Sequence, residues 1–241
     1  MKKIVLNDLF DYENLKIYQI KGNFKFSLDS LLLAEYVKIR KGTKNILDLC
    51  TGNAPIPMIL TRKTSAKIDG FEIQKDIYDL GINSVSYNEL NDQISLYNYD
   101  IKNIDEAIKK KKYDIITCNP PYFKISNNSN INEREELSIA RHEIKIQLEE
   151  IFKIASSHLN DGGEFYMVHR ATRLDEIIIL GNIYNLNIKN VELIQTKKDT
   201  KPYIVLVRAV KNSGYGLKIN CPKNIENLKT YQNMFKEALW S

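Results

Sequence analysis

The sequence predicts an α/β fold: a mostly parallel seven-stranded sheet with helices on both faces and an antiparallel hairpin near its end. Three observations carry that reading. From Lys44 onward, short apolar runs alternate with longer segments of helical period. Glycine, proline and asparagine punctuate the junctions. Late in the chain two apolar runs follow each other with only a short basic loop between them, the pattern of a hairpin.

The elements follow in order. NILDL (45–49) reads as a strand; Pro55 and Pro57 after it suit the first turn of a helix, where backbone N–H groups lack intrahelical partners. AKIDGFE (66–72) is the next strand, and 74–89 is helical, with Gly81 a weak point of about 1 kcal/mol. QISLYNYD (93–100) and YDIITC (113–118) are further strands. The Asn-rich ISNNSNINERE (125–135) reads as a long loop. Helical period returns at Leu148, Ile151, Phe152, Ala155 and Leu159, and Asp161-Gly162-Gly163 is expected to stop that helix. EFYMVHR (164–170) is a strand and Leu174 to Tyr184 a helix. NIKNVELIQT (187–196) and PYIVLVRAV (202–210), joined by Lys197-Lys198-Asp199-Thr200-Lys201, form the hairpin, expected to close the sheet edge. A last helix is read from Tyr231, Met234, Phe235, Ala238 and Leu239. The expected organisation is one domain: an N-terminal segment (1–43) packing on the ligand site, a core (44–210) and an extension (211–241).

Composition bounds the function. At 241 residues, 43% hydrophobic and 27% charged, the chain can bury a full core. A net charge of +5 permits a polyanionic partner without requiring one. Cys50, Cys118 and Cys221 are odd in number and far apart, which argues against a disulfide framework or a metal site and for reduced thiols, Cys50 and Cys118 being read as packing residues. Asp8, Asp11 and Glu13 interrupt any signal-peptide core, and no apolar run reaches the roughly 18 residues of a membrane span. A soluble, cytoplasmic protein is expected.

Rossmann-like sheets bind ligands beyond the C-terminal ends of their strands, near the switch in strand order. Three acidic groups fall at such tips: Asp48 before Leu49-Cys50-Thr51-Gly52-Asn53-Ala54, then Glu72, then Asp100. Glu72 lies 20 residues beyond Gly52 (72 − 52), a spacing at which a carboxylate reaches ribose hydroxyls. Asp100 is placed to accept from an adenine amine. Singly, each is more often a turn or cap residue. A GxGxxG fingerprint is absent, so the set favours a nucleoside cofactor without a diphosphate.

Beyond the 113–118 strand stands Asn119-Pro120-Pro121-Tyr122. It matches the NPPY motif of class I methyltransferases that act on planar amino groups with S-adenosylmethionine. FSLDSLLLAEY (26–36), DLCTGNAPIP (48–57), GFEIQ (70–74), CNPPYF (118–123) and IARHE (139–143) resemble more closely the bacterial tRNA(Val) adenine N6-methyltransferases, from about residue 20 to 210. That resemblance implies that Phe26, Ser27 and Asp29 lie near the methionine end of the cofactor. It puts Asp48 and Gly52 beside the amino acid portion, Glu72 at the ribose and Asp100 at the adenine, and counts Asn53, Ile73 and Asn119 among the residues that bind the cofactor. It further implies tRNA as partner and the adenine 3′ of the anticodon as target. Ala54 stands where members of that family commonly have glycine.

An aromatic amine is a poor nucleophile because its lone pair is delocalised. The Asn119 amide oxygen and the Pro120 carbonyl can each accept one of its N–H groups, aiming the lone pair at the methyl donor without a strong base. Tyr122, backed by Phe123, offers a stacking face for a splayed base, worth about 1 to 3 kcal/mol. The bland alternative is a strand-ending Asn-Pro-Pro with Tyr122 in the core. His142 and His169 are available as bases, but the chemistry does not demand one.

RNA adenine, DNA adenine and protein glutamine all fit such a clamp. A glutamine enzyme carries an additional N-terminal domain, and a sequence-specific DNA enzyme a target-recognition domain, for which the chain has little room. An anticodon loop already presents unstacked bases. Lys124, Arg134, Arg141, His142, Arg170, Arg173, Lys197, Lys198 and Lys201 are candidate phosphate contacts; each alone reads as a solvated charge, and as a group a few are expected to touch RNA. A non-catalytic RNA-binding module on the same fold is the remaining alternative.

Overall fold

The computed structural model describes residues 3–10, 12–21, 28–121, 147–196 and 200–225. Two N-terminal strands, β1 (Ile4–Asp8) and β2 (Lys16–Ile20), pair antiparallel as a separate ribbon. Helix α1 (Leu28–Tyr36) follows, then β3 (Asn45–Leu49), α2 (Pro55–Leu60), β4 (Lys67–Phe71), α3 (Lys75–Tyr87) and β5 (Ile94–Tyr97). A short 3-10 turn leads into α4 (Ile104–Ile108), then β6 (Tyr113–Cys118). The second half holds α5 (Leu148–His158), β7 (Leu159–Arg170), α6 (Leu174–Ile183), β8 (Leu186–Gln195) and β9 (Ile204–Lys211), with two-residue strands β10 (Lys218–Ile219) and β11 (Lys223–Asn224).

The described strands β3 to β11 form one nine-stranded sheet, ordered β10-β8-β9-β7-β6-β3-β4-β5, with β11 also on β8. β3 pairs with β4 and β6, β4 with β5 and β6 with β7, all in parallel; β9 is antiparallel to both of its neighbours. The order reverses at β3, between β4 and β6, so the ends of these strands flank the crevice such sheets use.

Most elements fall where periodicity puts them, but the described sheet has nine strands where seven were expected, and several elements differ. The β8–β9 hairpin is present, but β9 inserts between β7 and β8, and β10 and β11 form the edge beyond β8. Helix α5 ends at His158, and β7 begins at Leu159 and runs through the Asp161-Gly162-Gly163 stretch with a register shift against β6. Gly162, at φ +71°, bends the strand there instead of capping the helix. Helix α1 and the β1–β2 ribbon were not marked by local pattern. Gly81 is a packing position: a Cβ built there would stand 3.0 Å from Leu96 Cδ1 and 3.4 Å from the Gly52 carbonyl, so its absence lets α3 approach the 50–54 loop. The 125–135 loop and the 231–239 helix lie outside the described residues.

Two apolar layers sandwich the sheet. One gathers Leu31 to Ala34, Ile46, Ile56, Ile59, Ile68, Val168 and Leu206 under α1 to α3; the other gathers Leu47, Leu49, Phe71, Ile116, Phe152, Phe165 and Ile177 under α4 to α6. Alternate residues of each strand feed opposite layers.

Candidate active site

Register builds the site. Leu49 is paired with Phe71 on one side and Cys118 on the other. Glu72, Cys50 and Asn119 are each the next residue, so they stand in a row across three adjacent strand ends. Strand spacing puts Glu72 and Asn119 about 10 Å apart along that row.

The loop between β3 and α2 is tightly wound. Cys50 (φ 58°), Gly52 (φ 60°) and Ala54 (φ 68°) alternate in the left-handed region, where a side chain costs about 1 kcal/mol or more. Ala54 is fully buried at the start of α2. The conformation explains why glycine suits that place. Gly52 has open space where a Cβ would be.

Glu72 is the counterpart of that loop. Its Oε2 accepts the Gly52 N–H at 3.0 Å and its Oε1 the Gln74 N–H at 2.8 Å. Burial raises its pKa, and those backbone donors offset part of the shift. Asn98, beyond β5, donates to the carbonyls of Glu72 (2.9 Å) and Ile73 (3.2 Å), fixing the turn. Ile73 is half-buried beside it. Asp100 accepts the Lys102 N–H at 3.0 Å and caps the 3-10 turn, the local role its residue type favours.

Asp48 lies fully buried beneath the loop and accepts from Thr117 Oγ1 at 2.5 Å. Burial pushes its carboxyl up to about 7, against the lowering effect of the Thr117 and Thr51 hydroxyls. Asn53 donates from Nδ2 to the Tyr18 carbonyl at 2.9 Å, tying the N-terminal ribbon to the loop. Nothing in the local sequence marks that contact.

Asn119 is half-buried at the end of β6, Pro120 is buried and Pro121 exposed. Asn119 Nδ2 donates to Ser30 Oγ on α1 at 2.9 Å. Asp29, the next residue to Ser30, is half-buried in the first turn of α1. It is close enough to Tyr203, at the start of β9, to help burial push that phenol up to about 12. His169, near the end of β7, accepts the Arg170 N–H at Nδ1 (2.9 Å). Burial first, then the Arg173 charge, lowers it to about 4, so it is neutral at pH 7. Arg173 is held by Glu176 through two hydrogen bonds of 2.6 Å.

Of the residues singled out from sequence, Asp29, Asp48, Gly52, Asn53, Glu72, Ile73, Asp100, Asn119 and Pro120 are described at or beside this end of the sheet. Phe26, Ser27, Tyr122, Phe123, Lys124, Arg134, Arg141, His142, Lys197 and Lys198 lie outside the described residues. Among the described residues, no group of three or more His, Cys, Asp or Glu is placed to hold a metal ion. No described helix is long and apolar enough to cross a membrane.

The model of the methyltransferase small domain matches residues 23–201, most of the chain and every described element of this site. The chain belongs to that family. Relatives of this methyltransferase carry a narrower name. A Flavobacterium psychrophilum protein named tRNA1(Val) (adenine(37)-N6)-methyltransferase is 24% identical, covering 94% of both chains. A Cytophaga hutchinsonii protein of the same name is 24% identical over 76% of this chain and 75% of its own. Among solved structures, protein Atu636 from Agrobacterium tumefaciens, described as a predicted O-methyltransferase, superposes with TM-score 0.63 at 18% identity, covering 83% and 88% of the two chains. TYW2 of Pyrococcus horikoshii, solved with MeSAdo, gives TM-score 0.61 at 14% identity, covering 88% and 73%. These structural likenesses carry the class I methyltransferase fold.

Proposed function

We propose that this methyltransferase uses S-adenosylmethionine to methylate N6 of an adenine in tRNA, the adenine 3′ of the anticodon in tRNA(Val). The observation that supports the reading is the row formed by Glu72, Cys50 and Asn119 across three adjacent strand ends, in which Glu72 would bind the nucleoside and Asn119 the amine. The relatives' shared name supplies the substrate.

The residues present fit the cofactor. Open space over Gly52 gives a flat approach along the backbone, and the Glu72 carboxylate, which meets the Gly52, Gln74 and Ile73 backbone N–H groups, keeps lone-pair capacity for one further donor. When bound, S-adenosylmethionine supplies a methyl group made electrophilic by its sulfonium. Asp29, Gly52 and Asn53 would hold the amino acid end, with Phe26 and Ser27. Asp48 would brace the loop from beneath, Glu72 and Ile73 would hold the ribose, and Asp100 the adenine.

At the other end of the row, the Asn119 amide oxygen and the Pro120 carbonyl would accept the two N–H groups of the target amine. That pulls the nitrogen toward tetrahedral geometry and orients its lone pair, a gain realised in the transition state. The proton turns acidic as the N–C bond forms and leaves to solvent. His169, neutral and buried, has no part in it. Tyr122 and Phe123 would stack the base, and Lys124, Arg141, His142, Lys197 and Lys198 would meet the phosphates. A cytoplasmic location accords with a tRNA substrate.

Asn119→Ala tests the clamp. It should abolish methyl transfer while cofactor affinity, measured by calorimetry, stays within about two-fold of the parent. A variant that keeps most of its rate removes the clamp.

A further inference from the structure

An asparagine side chain is nearly symmetric in shape and opposite in chemistry at its two ends, one carrying an acceptor and the other two donors. Seated one way, Asn119 offers an oxygen to an incoming amine. Turned by half a revolution, it offers N–H groups to N–H groups, and the amine is repelled. A neighbour that accepts from the N–H₂ end holds the amide in the first seat, and the described residues contain one. Ser30 Oγ, buried on α1, accepts a hydrogen bond from Asn119 Nδ2 at 2.9 Å across 89 positions of sequence.

The serine stands on a firm frame. Leu31 to Ala34 are fully or almost fully buried in the layer under α1. Lys63 Nζ donates to the carbonyls of Ala34 (2.9 Å), Glu35 (3.0 Å) and Val37 (2.8 Å), closing the C-terminal end of α1 with a cation where the helix dipole favours one. Tyr36 donates to Asn190 Oδ1 at 2.6 Å and meets Tyr166 edge-to-face at 5.8 Å, pinning the same helix end to β7 and β8. A hydroxyl held this way has a fixed position relative to the tip of β6.

We propose that Ser30 is a positioning residue for methyl transfer: by accepting the Asn119 amide N–H it holds the amide in the orientation in which the oxygen faces the target amine. The inference rests on the role given to Asn119 above. It assigns to α1 a function in the chemistry besides its packing.

Three variants test it, with kcat, RNA KM, cofactor Kd and melting temperature read on each. Ser30→Ala should lower kcat by about 10- to 100-fold, the scale expected when a reacting group loses its orientation. Its cofactor Kd and RNA KM should move by less than about two-fold. Ser30→Cys keeps a side chain of similar size but a weak acceptor, and should fall between serine and alanine in kcat. A flat order of kcat across serine, cysteine and alanine overturns the proposal. So does a loss of rate that is matched by losses in cofactor affinity and melting temperature, which marks a packing role. Asn119→Ala separates the two levels of the argument. If it is inactive while Ser30→Ala is normal, only the positioning role falls; if it is active, the reading of Asn119 falls.

Discussion

Glu72 and Gly52, twenty positions apart, are joined by a hydrogen bond in which the Glu72 carboxylate accepts the Gly52 N–H at 3.0 Å. The contact makes the β3–α2 loop and the end of β4 one rigid unit. Glu72→Gln should therefore do two kinds of harm: one carboxylate acceptor becomes an N–H₂ facing the Gly52 or Gln74 N–H, and the ribose contact weakens. Cofactor Kd should rise by at least about ten-fold, with a smaller fall in melting temperature. Calorimetric titration with S-adenosylmethionine checks it, and an unchanged Kd would remove Glu72 from the cofactor site.

Gly81 on α3 faces the same loop. In Gly81→Ala, helix propensity gains about 1 kcal/mol, while the new methyl presses on Leu96 Cδ1 and the Gly52 carbonyl at 3.0 and 3.4 Å. The expected outcome is a melting temperature close to the parent with cofactor affinity several-fold weaker. Parallel melts and titrations on the one variant read both.

Two buried groups titrate with opposite signs. Asp48, pushed up to about 7 by burial, is protonated more readily in the folded chain than in the unfolded one, whose carboxyl keeps its ordinary value near 3.8. Its stabilising contribution is complete below pH 3.8 and is lost as pH rises through 7. His169, lowered to about 4 by burial, behaves in reverse: its contribution is present above 6.5 and is lost as pH falls through 4. Asp48→Asn should thus gain on the parent as pH rises from 4 to 8, and His169→Gln should gain on it as pH falls from 7 to 4. Melting curves across that range measure both, and a common sign would contradict the assignment.

The thiols should differ in reactivity. Cys221 is exposed, Cys50 half-buried and Cys118 buried. Burial and the adjacent Cys50 thiol hold the Cys118 pKa well above the ordinary range. Alkylation of the native protein, followed by mass spectrometry, should label Cys221 first, Cys50 more slowly and Cys118 only on unfolding.

The sequence made the parallel core legible because its strands are short apolar runs whose ends carry chemistry. NILDL, AKIDGFE and YDIITC locate β3, β4 and β6, and the residues just beyond them include Glu72 and Asn119. The place of β9 was not legible, since strand order is decided by which edges pair and not by a segment's own pattern. Helix α1 escaped because its apolar residues run together as Leu31-Leu32-Leu33-Ala34 instead of recurring at helical spacing, which leaves no stripe to see. The ribbon of β1 and β2 escaped because it packs against distant partners: Tyr18 N–H donates to Ser84 Oγ, and the Lys16 N–H to Asn88 Oδ1, across 66 and 72 positions. Ser30 escaped for the same reason. Its residue type is unremarkable, and only the folded chain brings it to Asn119.

The most direct test of the account is transfer of a labelled methyl group from S-adenosylmethionine to unmodified total bacterial tRNA, with DNA and protein acceptors run in parallel and the RNA digested to nucleosides. The account predicts label in N6-methyladenosine, confined to one tRNA species. Label in DNA or protein with none in tRNA, or no transfer to any acceptor, would contradict it.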